Sequence, residues 1–322
     1  MRFSSVAAVV AAAAPLAVTA KGQLGYALGA RLSGLDDYAA DFEVLKETAT
    51  IVRTYANIDG GDPSAPQCTI LPDLLEAASI AKVQVILGIW ADTNTAFQAD
   101  SDQFFAHAKD FESTIYAVTI GSEALYRNQQ DASTGLTADG LLNQIQKFNK
   151  TIYDNDLQGK FKVGTADSWN KFQDGTATDI ITSPIVDILL VNAFAYWQQQ
   201  TISNATATYL DDLQQAFGKI QATAGSTTKI ELWNGEVGWP TTGGTNYGAA
   251  EAGTANAETF YKQGVCAALD WNINVFYFEA FDEPWKPVST GADGEPGNEN
   301  HWGAYNVDRS PKFSDYSCKY SS

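Results

Sequence analysis

A single closed (β/α)8 barrel is the fold this sequence predicts, on three observations. Short β-branched or aromatic runs alternate with longer Ala/Leu/Gln-rich segments, most of the short runs are continuously apolar, and eight such pairs fill about 300 residues. Continuous apolar runs are what parallel strands covered on both faces require, whereas half-exposed strands alternate. Eight βα units match a closed barrel in length.

In chain order, the strand candidates are Leu24–Leu28, Ile51–Tyr55, Val83–Ile89 and Ile115–Ile120, then Phe161–Thr165, Val186–Asn192, Lys229–Trp233 and Asn274–Phe278. Helical patterns lie between them at Leu71–Ala81, Phe97–Phe111, Ala138–Tyr153, Tyr209–Ala224 and Ala257–Asp270. Successive strands start mostly about 25 to 45 residues apart, the size of one βα unit. An open doubly wound sheet is the competing fold. It usually carries a Gly-rich phosphate turn after its first strand, and Gly25-Tyr26-Ala27-Leu28-Gly29 lacks that G-x-G-x-x-G spacing.

Composition narrows the function. The 322 residues carry 20 basic and 38 acidic side chains, a net charge of −18, with 45% hydrophobic and 12% aromatic content. Such aromatic content excludes a disordered chain, and the acidic balance excludes nucleic acid or an anionic membrane as the main partner. Two histidines, His107 and His301, and three cysteines argue against a His- or Cys-rich metal site, and no cofactor motif is present.

The N-terminus reads as a secretory signal over residues 1–20, with the catalytic domain over 21–322. Arg2 precedes an apolar run from Val6 to Val18, too short to span a bilayer, and Val18-Thr19-Ala20 offers small residues for cleavage. No later stretch has membrane length, so a secreted or cell-wall monomer without membrane insertion is expected. Two N-x-[ST] sequons, at Asn149 and Asn204, fit that compartment, and Asn204 sits in a polar stretch that reads as surface loop.

In a (β/α)8 barrel, active-site residues stand just beyond the carboxyl ends of strands. Tyr55 closes the second strand, Trp90 follows the third, Glu123 the fourth and Trp169 the fifth. Tyr196 and Trp197 follow the sixth, Glu236 and Trp239 the seventh, and Glu283 and Trp285 the eighth. Five of the eight tryptophans fall at this rim, which suggests stacking platforms for the flat apolar faces of sugar rings. An acidic rim suits neutral polyols better than anions. Glu123 and Glu236, both flanked by glycine and three units apart, match two-carboxylate glycosidic cleavage, in which one acid protonates the leaving oxygen and the other attacks carbon or activates water.

Three segments carry a resemblance: Ile120-Gly121-Ser122-Glu123-Ala124-Leu125-Tyr126-Arg127, Gly235-Glu236-Val237-Gly238-Trp239-Pro240-Thr241, and Phe278-Glu279-Ala280-Phe281-Asp282-Glu283-Pro284-Trp285-Lys286. Together they resemble glycoside hydrolase family 17, and within it the secreted fungal cell-wall glucan β-1,3-glucosidase/glucanosyltransferase branch, from about Gly25 to Cys318. The resemblance implies β-1,3-glucan as partner and a retaining mechanism, with Glu123 as acid/base and Glu236 as nucleophile. It also implies that Glu283 and Lys286 line the site, the lysine tempering the repulsion between carboxylates near Glu123. Arg53 and Tyr196 are expected to hold Glu236 ionised and oriented, and Tyr26 joins the substrate-binding set.

Two positions depart from the family pattern. Ser122 stands where many relatives carry an asparagine that contacts the sugar 2-hydroxyl, and Asn234 stands where the nucleophile strand is usually apolar. Barrel geometry puts Cys266 in the seventh helix and Cys318 in a last helix, at the bottom of adjacent outer elements, so these two are expected to bond and leave Cys68 free. Two rivals remain open: a non-catalytic glucan-binding barrel, and the same mechanism on another β-glucan linkage.

Overall fold

The computed structural model describes residues 21–29, 35–57, 70–290 and 295–319. The signal segment and Cys68 lie outside these residues. The chain runs β1 (Leu24–Ala27), α1 (Leu35–Leu45), β2 (Ile51–Arg53), α2 (Leu71–Ala81), β3 (Gln84–Ile89), α3 (Asn94–His107), β4 (Ile115–Ser122), α4 (Ala124–Gln130), α5 (Ala138–Asp154) and β5 (Lys162–Ser168). It continues through α6 (Trp169–Gln173), α7 (Thr178–Thr182), β6 (Ile188–Asn192), α8 (Ile202–Ala224), β7 (Glu231–Val237), α9 (Thr254–Phe260), α10 (Cys266–Asp270) and β8 (Asn274–Tyr277). A hairpin of β9 (Val288–Thr290) and β10 (Pro296–Asn298) follows. Strands β1 to β8 are parallel and close into a barrel, β1 pairing with β8 through Tyr26 and Tyr277.

The inward side chains Ile51, Ile86, Ala117, Ala166, Ile188, Leu190, Trp233 and Phe276 pack a dry interior. A second, larger apolar layer lies between strands and helices. These two layers are why the strands read as continuous apolar runs. At the amino end of the barrel, Lys162 donates to Tyr116 and to Glu231, while Tyr116 and Trp233 also donate to Glu231, at 2.6 and 2.5 Å. This satisfied network plugs the floor and leaves the opposite mouth for function. Helices start where sequence chemistry permits: Thr93 and Thr137 each accept a backbone N–H at the head of α3 and α5.

Two sequence expectations are corrected and one, the helix over Ala257–Asp270, is refined. The stretch around Asn204 is the first turn of α8, with Asn204 exposed on it, because Thr201 supplies an extended residue that starts the helix early. The segment Ala257–Asp270 is one helical rod whose middle, Tyr261–Val265, widens to a π turn. Cys318 lies in an irregular terminal strap rather than a helix, since Pro311 and the Asp308 and Asp315 turns to Ser310 and Ser317 break up this stretch.

That strap is tied down by a Cys266–Cys318 disulfide with Cα atoms 5.3 Å apart, by Lys262 to Asp315 at 2.8 Å, and by Tyr261 donating to the Tyr316 carbonyl at 3.1 Å. The bond closes a loop of 52 residues. Replacing both cysteines by serine is expected to lower unfolding stability by about 2–4 kcal/mol, read by urea denaturation under oxidising conditions.

Candidate active site

Each glutamate at the mouth follows a glycine in a β-bulge, Glu236 directly and Glu123 after Ser122. Between β4 and β5 the register shifts from Thr119 opposite Gly164 to Ser122 opposite Ala166, and Gly121 takes φ +77°. Between β6 and β7, Val191 pairs with Asn234 and Asn192 with Glu236, so Gly235 is the inserted residue. A bulge re-aims the side chain that follows it. Glu123 itself takes φ +53°, a conformation costing a non-glycine residue about 1–2 kcal/mol. It is held there by its N–H to the Ala166 carbonyl at 2.9 Å and by the Arg127 N–H to its own carbonyl at 2.9 Å.

Arg53, at the end of β2 and fully buried, joins the two glutamates. Its Nη1 donates to Glu236 Oε1 at 2.9 Å, to the Gly235 carbonyl at 2.9 Å and to Asn192 Oδ1 at 3.2 Å, while Nη2 donates to Ser122 Oγ at 2.9 Å. Asn192 then donates from Nδ2 to Glu123 Oε1 at 3.1 Å. One carboxamide and one guanidinium therefore connect Glu123 to Glu236. The Ser122 hydroxyl accepts from Arg53.

The two carboxyls meet different fields. Glu236 forms an ion pair with a buried guanidinium. Glu123 has no such partner among the described residues, and desolvation, then the charge of Glu236, then that of Asp167, push its pKa up to about 8, against the Asn192 hydrogen bond and Arg127. Asp167, fully buried, accepts the N–H groups of Leu125 at 2.8 Å and Tyr126 at 3.2 Å, anchoring the turn that carries Glu123. Burial followed by the charge of Glu236 keeps the Tyr55 phenol well above its ordinary value, with the Arg53 guanidinium 4.9 Å from its ring.

Beyond β8, Lys286 pairs with Glu279 at 2.5 Å, Glu283 at 3.1 Å and Glu299 at 3.9 Å, and lies 4.4 Å from the Phe278 ring. Its charge tempers these three acids rather than Glu123, a correction to the sequence expectation. Asp282 braces this loop, receiving Lys312 and the Gly303 N–H. Burial and the charge of Glu283 push Glu279 well up, while the surrounding carboxylates raise Lys286.

The rim of aromatics is only partly as expected. Trp90, under the Arg127 guanidinium at 4.5 Å, Trp169 at the head of α6, and Trp285 at 54% exposure border the mouth. Trp197 is partly buried and stacks on Trp302 at 5.6 Å. Trp239 is fully buried, its indole bonded to the Glu251 carbonyl at 2.8 Å, so it is core rather than platform. Tyr196 is also buried and donates to the Thr245 carbonyl, so of the two residues expected to hold Glu236 only Arg53 contacts its carboxylate. Tyr26 points outward, bonding Thr48 at 3.1 Å and packing on Tyr277 and Tyr305. Asn192, Asp167, Glu279 and Glu299 were missed by sequence reading. Of these, only Asn192 left even a faint signal, as a polar residue closing an apolar strand.

Among the described residues no cluster of His, Cys, Asp and Glu has metal-holding geometry. None of their helices is long and apolar enough to cross a membrane. The model of the BtgE/BtgC glycoside hydrolase domain matches residues 29–303. The chain belongs to this glycoside hydrolase family. Relatives include a glucan 1,3-beta-glucosidase of Arthroderma benhamiae, 44% identical with 97% of this chain and 96% of the relative covered. A Saccharomyces cerevisiae protein of the same name is 35% identical over the full length of both. Among solved structures, a Rhizomucor miehei beta-1,3-glucanosyltransferase of glycoside hydrolase family 17 is 25% identical. It superposes with a TM-score of 0.69, with 89% of this chain and 94% of that one covered. An active-site mutant of the Rhizomucor miehei beta-1,3-glucanosyltransferase, solved with laminaritriose, gives a TM-score of 0.70 at 26% identity, with 90% and 95% covered.

Two stability effects follow from this geometry in the family member. Arg53→Met strands Glu236 without its cation and is expected to cost about 3–5 kcal/mol; adding Glu236→Gln should return part of that loss in urea denaturation. Glu123 holds its proton in the folded chain up to about pH 8, whereas the unfolded chain releases it near 4.5. The wild type therefore loses stability as pH rises through that window. Glu123→Gln cannot titrate, so its Tm advantage over wild type is expected to grow from pH 4.5 to 8 and then level off.

Proposed function

We propose that this protein cleaves β-1,3-glucan with retention, through a covalent glycosyl-enzyme, and passes the glycosyl group to water or to a sugar hydroxyl. Glu236 is the nucleophile: Arg53 pairs with it and fixes one oxygen, leaving the other for the anomeric carbon. Glu123 is the acid/base, holding a proton at neutral pH, donating it to the leaving oxygen and then deprotonating the acceptor. The observation that carries this reading is the Glu123–Asn192–Arg53–Glu236 chain, in which one acid is paired with a cation and its neighbour is not. Environments that push two acids apart in this way assign their roles.

The names of the relatives, and the laminaritriose bound to the Rhizomucor miehei mutant, support β-1,3-glucan as the substrate. The aromatic and acidic mouth, with neutral Tyr55 and the Lys286 cluster, suits a neutral polyol. Secretion to the cell wall accords with the leader-like residues 1–20 and with the exposed sequon at Asn204, whereas Asn149 lies mid-helix and half-buried in α5. Hydrolysis and transfer share the glycosylation step and differ only in the acceptor.

Incubation with laminari-oligosaccharides, resolving products by length and anomer, tests the reading. β-Configured products are expected, and products longer than the substrate mark transfer. Glu236→Ala and Glu123→Ala should each lose at least about 100-fold in turnover. Azide should rescue the former to an α-glycosyl azide and the latter to a β-glycosyl azide. Turnover untouched in either variant sinks the assignment. The alkaline limb of the wild-type profile is expected near pH 8, where Glu123 loses its proton.

A further inference from the structure

Asn234 touches neither carboxyl, yet it sits on the bulge that aims one of them. Val191 pairs with Asn234 and Asn192 with Glu236 on one edge of β7, and on the other edge the register shifts again between Asn234 and Val237. The Asn234 side chain, fully buried outside the barrel wall, spans this irregularity. Its Nδ2 donates to the Val191 carbonyl at 2.7 Å and to the Glu236 carbonyl at 3.0 Å, and its Oδ1 accepts from the Tyr209 hydroxyl of α8 at 2.9 Å.

Chemistry fixes the orientation of this carboxamide. Carbonyls only accept, so the NH2 must face them and Oδ1 must face the phenol. Burial pushes the Tyr209 phenol well above its ordinary value, so it remains a donor. The Glu236 carbonyl also accepts the Ala193 N–H at 3.0 Å, so its peptide is gripped from two sides. The Val191 carbonyl belongs to the peptide leading into Asn192, the residue that bridges Glu123 and Arg53. Gly235, the inserted residue, admits no side chain here: a Cβ would lie 2.6 Å from Asn192 Oδ1 and 2.8 Å from the Leu190 Cβ.

We infer that the Tyr209–Asn234 pair is a positioning device for the reaction. From the helix layer it holds the backbone of Glu236 and of Asn192 in one register, and so sets both the attack geometry of Glu236 and the hydrogen bond to Glu123. Neither residue touches substrate. An apolar residue at 234 would remove both carboxamide bonds, leaving the bulge its main-chain bonds and the Arg53 bond to the Gly235 carbonyl. The inference rests on the proposed role of Glu236 as nucleophile.

Tyr209→Phe tests it, since the change removes one hydroxyl and keeps the ring packed against Phe260 at 5.7 Å. The expected result on laminari-oligosaccharides is a fall in kcat of about 10-fold with KM within about twofold, because ångström-scale misplacement acts on the reacting geometry. The alkaline limb should move to lower pH, since the Glu236 charge that raises Glu123 is no longer held as close. Asn234→Leu should lose more turnover; if it fails to fold, Tyr209→Phe still decides. A Tyr209→Phe enzyme within about threefold of wild-type kcat and with an unmoved limb overturns the inference, even if its Tm falls, while an inactive Glu236→Ala leaves the nucleophile assignment intact. An active Glu236→Ala overturns that assignment and the inference with it.

Discussion

The Arg53 guanidinium, fully buried at the barrel mouth, is the constraint on which the rest of the site depends. Burying such an ion carries a desolvation penalty of several kcal/mol unless good geometry and hydrogen bonds offset it. Here the offset comes from β4, β6 and β7 together: Ser122 Oγ, Asn192 Oδ1, the Gly235 carbonyl and the Glu236 carboxylate. A cation with these obligations fixes the relative heights of the strands that carry it. The positions of Glu236, and through Asn192 of Glu123, follow from pairing the two terminal nitrogens of one side chain.

That constraint also divides the charge. The chain is strongly acidic, and its mouth gathers Glu123, Glu236, Glu279, Glu283 and Glu299, which would repel one another if all were ionised and unpaired. Two cations partition them. Arg53 takes Glu236, Lys286 takes the three acids beyond β8, and Glu123 is left with a carboxamide. A proton on Glu123 is the consequence of that partition, and a proton there is what cleavage of a glycosidic bond requires.

Bulges explain which parts of the sequence were readable. Gly121-Ser122-Glu123 and Gly235-Glu236 were visible as motifs because a bulge at a barrel rim needs glycine where a Cβ would clash or φ is positive, and leaves a short local signature. Asn192 and Asp167 left little trace, since a buried polar residue at the end of an apolar run looks the same whether it faces the site or a helix. The aromatic rim misled for a related reason. Trp239 and Tyr196 follow strand ends as Trp90 does, but their side chains turn into a cluster with Trp302, Tyr247 and Phe260, where indole and phenol find backbone carbonyls.

Local pattern alone located the eight strands, the longer helices from Leu71 onward and two glutamates beyond strand ends, because periodicity, turn chemistry and the barrel's rule for its carboxyl ends act over a few residues. Helices α1, α4, α6 and α7 went unread. What only the tertiary structure decided is which polar groups meet across the mouth. Arg53 reaches Asn192 and Glu236 across 139 and 183 residues of chain. Which of its inward polar side chains touch depends on barrel closure and bulge register, which no local run of sequence encodes.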